Sequence, residues 1–137
     1  MLIYAVDSTS AFHKPAKTWL EDALNGTTRV GFPWVSLMEF QRITTHPRAS
    51  ANPLEPADAW SHVTEWLDAD QSWVPEPGDR HGTILGKLII EGSFGGNLVT
   101  DAHLAALALE FGVGICSFDS DFARFPELTW VNPAAPG

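Results

Sequence analysis

Gly96–Pro133, GNLVTDAHLAALALEFGVGICSFDSDFARFPELTWVNP, decides the reading of this chain, because it describes a helix and then a strand with a carboxylate at the start of one and the end of the other. Leu104, Leu107, Ala108 and Phe111 recur at helical spacing, and Gly112 follows where helices commonly stop. Asp101 is expected to open that helix, with Thr100 before it as a cap. Val113–Phe118 has the length and flanks of a buried strand, and Asp119 and Asp121 come directly after it. In an open α/β sheet, ligands bind beyond the carboxyl ends of the strands. A chain that returns along the helix and advances along the strand puts Asp101 and Asp119 on the same rim. Carboxylates that converge repel one another, and a bound divalent cation is the usual remedy.

The flanking sequence extends this pattern. Leu2–Val6 reads as a strand already in progress at the first residue, and Asp7-Ser-Thr-Ser10 as turn material. Pro15 suits the first turn of a helix whose apolar face is Ala16, Trp19, Leu20, Ala23 and Leu24, closed by Asn25-Gly26. Arg29–Phe32 is a second expected strand, and Ser36–Thr45 a helix ending ahead of His46-Pro47. Trp60, Val63, Trp66 and Leu67 mark the next helix, Trp73-Val74 a short strand, and Asp79 the cap of a helix with Ile84, Leu85, Leu88 and Ile89 inward. Gly92-Ser-Phe-Gly-Gly96 is a break, and Thr129–Val131 a last edge strand. Strands alternating with helices imply an α/β fold on a mostly parallel sheet covered on both faces.

With 137 residues, a single domain spanning 1–137 is expected, burying roughly two-thirds of the surface of its unfolded chain. Eight Lys+Arg against 17 Asp+Glu give a net charge of −9, which excludes a broad basic nucleic-acid-binding face. It leaves room for a nuclease whose cations reverse the sign of an acidic site locally. The single Cys116 falls inside an apolar strand and reads as core filling. One cysteine, no apolar run of about twenty residues and no signal core point to a soluble, cytoplasmic protein.

Each acid also has a structural reading. Asp101 suits the positive end of a helix dipole, Asp119 and Asp121 suit a turn after a strand, and Asp121 can cap the Phe122–Phe125 turn. Glu39 lies on the Ser36–Thr45 helix beside Met38, Phe40 and Ile43, where it is either an acid at the edge of a buried face or a solvated residue paired with Arg42. His13, His46, His62, His81 and His103 show no zinc-ligand spacing and read as surface or loop residues.

IYAVDS (3–8), SLMEFQRITTHPR (36–48), GNLVTDAHLAALALEFG (96–112) and SFDSDFARFPELTWVNP (117–133), in that order, closely resemble the PIN-domain ribonuclease toxins of the VapC type, mycobacterial members in particular. The resemblance implies a three-layer α/β/α sandwich on a parallel sheet, and acids that hold Mg2+ or Mn2+ to hydrolyse RNA to 5′-phosphate and 3′-hydroxyl ends. Carried onto matching positions, it implies Glu39, Asp101 and Asp119 as catalytic acids and metal ligands, Asp121 as a fourth ligand, and Ser36 and Asn97 as supporting polar groups. It implies a small cognate antitoxin, an RNA substrate and a homodimer, with Trp34, Trp60 and Trp66 in segments near the antitoxin groove and dimer contact.

The chain departs from the pattern at its start. Such toxins carry an Asp-Ala-Asn triplet ahead of the first apolar run, whereas Met1 stands directly after that place and Asp7 matches a different position. The expectation is a first strand truncated at its N-terminus: the true start lies upstream of Met1, the chain is a natural or engineered truncation, or an essential ligand is lost. The function expected is that of a divalent-metal-dependent endoribonuclease toxin. The alternative is a catalytically impaired PIN-like protein that binds antitoxin without cleaving RNA.

Overall fold

The computed structural model describes residues 1–134; residues 135–137 of the expected domain lie outside the described residues. The chain forms two compact units, Met1–Val74 and a second beginning at Pro75. The first holds α1 (Leu2–Val6), α2 (His13–Leu24), β1 (Val30–Gly31), α3 (Trp34–Thr44), α4 (Pro56–Asp68) and β2 (Ser72–Trp73). The second holds α5 (His81–Gly92), α6 (Leu98–Phe111), β3 (Ile115–Cys116), a 3-10 turn (Ser120–Arg124) and β4 (Trp130–Val131).

Both strand pairs are parallel, as the alternation of elements requires: Val30 aligns with Ser72, and Ile115 with Trp130. The regular ladders are short, two residues per strand in each of two two-stranded sheets, where the sequence reads as longer strands in a single sheet.

Leu2–Val6 is a helix and not the expected strand. A short apolar run does not distinguish the two by periodicity, and here the Ala5 N–H donates to Met1 O at 3.2 Å and the Asp7 N–H to Ile3 O at 2.8 Å. Asp7 then ends the helix and accepts from both the Thr9 N–H (3.0 Å) and the Thr9 hydroxyl (2.6 Å). The Thr9 hydroxyl bond, followed by the Thr9 N–H bond, holds the Asp7 carboxyl below its usual range.

The core of the first unit is Leu20, Phe32, Leu37, Phe40, Ala59, Val63 and Trp66, with α1 packed against it. Trp66 meets Phe40 edge-on at 4.9 Å between ring centroids and lies parallel to Phe32 at 6.2 Å. Met38 turns outward and is 66% exposed, although its neighbours Leu37 and Phe40 are buried. Trp34 and Trp60 stack on each other at 6.5 Å and remain exposed.

The core of the second unit is Ala102, Ala105, Phe122 and Phe125, flanked by Leu85, Leu88, Ile89, Ile115 and Trp130. Ile84, Leu85, Leu88 and Ile89 are half-buried, as the pattern predicts. Asp79 does not cap α5; Arg80 stands at the N-cap position without a side-chain bond. Instead Glu110, near the end of α6, accepts the N–H groups of Gly78 (2.8 Å) and Arg80 (3.0 Å), while an Arg80 Nη donates to Glu110 O. The absence of a side chain at Gly78 allows this close approach, since a Cβ there would stand 2.7 Å from the Glu110 carboxylate and displace it. No helix among the described residues is long and apolar enough to cross a membrane.

Candidate metal centre

α6 begins at Leu98, three residues ahead of the expected start, so Asp101 lies in its first turn and Thr100 is inside the helix. Asn97 occupies the N-cap position without a side-chain cap bond, and Gly112 closes the helix at φ 67°. Ala102, directly after Asp101, is fully buried. Phe122 is likewise buried directly after Asp121. Ala102 and Phe122 share one apolar cluster, and burying these two residues draws their preceding acids together.

Asp119 is fixed by polar contacts. The Ser117 N–H donates to Val131 O (3.0 Å), continuing the β3–β4 pairing. Ser117 O accepts from Trp130 Nε1 (2.8 Å), and Ser117 Oγ accepts from the Asp119 N–H (3.1 Å). Asp119 is then the N-cap of the 3-10 turn, its Oδ1 accepting the Asp121 N–H at 2.9 Å. Asp119, and not Asp121, is therefore the cap of this turn. Asp121 Oδ1 accepts instead from Arg124 Nε at 3.1 Å.

One carboxylate oxygen from each of Asp101, Asp119 and Asp121 lies within 4.8 Å of the others. Asp101 and Asp121 are half-buried and Asp119 is exposed, so solvent reaches the group. Three hard oxygen donors, with no thiolate or imidazole in the group, suit Mg2+ or Mn2+.

The cluster is built wholly from the second unit. Glu39 and Ser36 lie on α3 in the first unit, Glu39 exposed and Ser36 half-buried. Glu39 and Arg42 form no ion pair with each other, unlike Arg124 and Asp121 at the same i,i+3 spacing. Asn97 is exposed, four residues ahead of Asp101.

The histidines are not uniformly surface residues. His81, at the start of α5, is 8% exposed, and its Nε2 lies 3.0 Å from Nδ1 of His103 on α6. His81 Nδ1 is buried without a hydrogen-bond partner among the described residues. A bare acceptor is tolerated there better than an orphaned N–H, which favours His81 Nε2–H donating to His103. Burial, and then the neighbouring His81, lower the His103 pKa. Burial also pushes the Cys116 thiol up to about 12, so it stays protonated and is no nucleophile. Residue type and spacing do not mark Ser117, Trp130 or Arg124 as parts of this site; the Ser117-x-Asp119 spacing, typical of a hydroxyl-capped turn, is the one local signal, and it points to Ser117.

Residues 1–128 match the PIN domain family. The chain is 44% identical over 135 residues to Ribonuclease VapC37 of Mycobacterium tuberculosis, spanning 98% of this chain and 94% of that protein. This chain belongs to the VapC group of PIN-domain proteins. Ribonuclease VapC33 of the same species is 39% identical, with 97% and 93% covered. In fold, this PIN-domain chain is similar to a chain of the VapBC2 crystal structure from Rickettsia felis, bound to a DNA fragment from their promoter. That match has a TM-score of 0.68 at 17% identity, covering 95% of this chain and 91% of that one. The α/β class expected from the alternating elements is therefore that of the PIN fold.

Proposed function

We propose that this chain is the endoribonuclease toxin of a toxin–antitoxin pair, hydrolysing single-stranded RNA at the Asp101–Asp119–Asp121 cluster with Mg2+ or Mn2+. The observation that carries this reading is the convergence of three carboxylate oxygens within 4.8 Å, in a chain whose relatives are named ribonucleases. A divalent cation held there supplies positive charge that activates water and offsets charge on the scissile phosphate.

The protein's own part is positional. Asp101 and Asp119 are the principal ligands, presented by the first turn of α6 and by the turn after β3. Asp121 is the third, oriented by its own N–H on Asp119 and by Arg124 on its carboxylate. Glu39 is assigned as a further acid of this chemistry, and Ser36 and Asn97 as supporting polar groups, through the match of their segments to the family. Substrate choice falls to a small local groove and RNA shape, because the net charge of −9 offers no broad basic face.

A small antitoxin is the proposed partner, its basic segment pairing an Arg with Asp101 or Asp119, and the toxin is proposed as a cytoplasmic homodimer. Two experiments test the reading. The first is cleavage of single-stranded RNA in Mg2+ with and without chelator; cleavage that ignores the chelator rejects the metal assignment. The second is co-expression with the adjacent small reading frame followed by light scattering, where monomer with no co-purifying peptide rejects the partner assignment.

A further inference from the structure

Arg124 stands one hydrogen bond from the carboxylate cluster. Its Nε donates to Asp121 Oδ1 at 3.1 Å, and its side chain is 58% exposed. A guanidinium carries five N–H donors in a planar fork. The bond to Asp121 uses one of them, from the Nε edge, and Nη1 and Nη2 make no hydrogen bond to the described residues. An exposed pair three residues apart on a short turn contributes little to stability, so structural need alone does not explain a cation placed here. RNA brings a chain of phosphates to a protein of net charge −9; a cation held by the three carboxylates offsets charge at the scissile phosphate, and Arg124 is a protein cation beside the cluster placed to meet a neighbouring one. The planar fork of arginine matches two oxygens of a phosphate.

We propose that Arg124 binds a backbone phosphate of the RNA at this site, its Nη groups donating to the non-bridging oxygens while Nε remains on Asp121. The inference rests on the nuclease reading above. It makes Arg124 a substrate-contacting residue tied to the cluster through Asp121, and it separates phosphate grip from metal ligation within one five-residue turn.

The test measures binding of a single-stranded RNA oligonucleotide to the full chain in Ca2+, across a series of salt concentrations, for wild type, Arg124→Gln and Arg124→Lys. Arg124→Gln is expected to weaken RNA binding about tenfold and to flatten the log–log salt dependence by roughly 0.7, the contribution of one phosphate contact on a single strand. Arg124→Lys should keep the slope and recover part of the affinity, as a point charge without the fork. Mn2+ affinity of Arg124→Gln should match wild type or exceed it, since a competing cation has left Asp121. RNA affinity and salt slope unchanged in Arg124→Gln overturn the inference. So does a parallel loss of Mn2+ affinity, which would mean that Arg124 only orients Asp121. Wild type that cleaves RNA in a chelator-sensitive way while Arg124→Gln binds normally sinks this inference alone. Wild type that binds with the predicted slope yet never cleaves in Mg2+ sinks the nuclease reading and leaves Arg124 in place, and wild type that binds no RNA overturns both.

Discussion

Asp119 Oδ1 accepts the backbone N–H of Asp121 at 2.9 Å, so one carboxylate both caps the 3-10 turn and faces the two other acids of the cluster. Asn retains the capping oxygen and Ala does not, which separates the two roles. Asp119→Asn should keep or raise thermal stability without metal, because it removes like-charge repulsion, while Mn2+ affinity falls with the loss of a charged ligand. Asp119→Ala should lose similar affinity and also about 1 kcal/mol of stability with the cap. Equal melting temperatures for the two variants would contradict the capping role.

Gly114 precedes β3 and faces β4, where an added Cβ would meet Thr129 O at 2.9 Å. Ile115 N–H donates to that same oxygen at 2.9 Å, so the backbone there has little freedom to yield. Gly114→Ala should cost about 1–3 kcal/mol by denaturant unfolding. It should also weaken Mn2+ binding, because β3 leads directly to Asp119. Unchanged stability would mean that the β3–β4 pairing does not hold the Asp119 turn in place.

Sequence pattern carries the helices and the acids of this arrangement, and tertiary contacts decide the rest. α5 follows from its apolar periodicity, whereas α6 is apolar nearly all round: Phe111 of the expected inward face is exposed, Ala102, Ala105 and Ala106 are buried, and the clearer signal is Gly112, which ends the helix at φ 67°. Leu2–Val6 misled because five apolar residues carry no period; its helix is settled by packing against the first-unit core. Asp101, Asp119 and Asp121 stood out by residue type and rim position, but which of them caps and which pairs depends on hydrogen bonds only the fold sets. His81 and His103 could not be paired from a spacing of 22 residues, because their contact arises from the packing of α5 on α6.

Glu110 joins the end of α6 to the start of α5, and the Gly78 N–H, with that of Arg80, holds its carboxyl below its ordinary value of 4.5. A carboxylate depressed in the folded state contributes stability that is present above its unfolded pKa and is lost as pH falls through the folded value. The melting-temperature difference between wild type and Glu110→Gln should therefore be largest at about pH 7 and shrink on acidification below about pH 4.5. A difference that stays constant or grows in acid would contradict the clamp.

Glu39 is exposed on α3, so its replacement bears little on folding. Glu39→Gln should change the melting temperature only slightly, within about 0.5 kcal/mol of wild-type stability. Because Glu39 is proposed as an acid of the reaction, its replacement should lower RNA cleavage in Mg2+ by about 100-fold or more. Full activity in Glu39→Gln would remove it from the catalytic acids.

Titration of Mn2+ into wild type and into Asp101→Asn/Asp119→Asn by calorimetry tests the central claim most directly. The carboxylate cluster predicts one saturable site per chain in wild type and none detectable in the double variant, with the fold retained by circular dichroism. Equal Mn2+ affinity in the two proteins would show that the Asp101–Asp119–Asp121 cluster is not the metal centre.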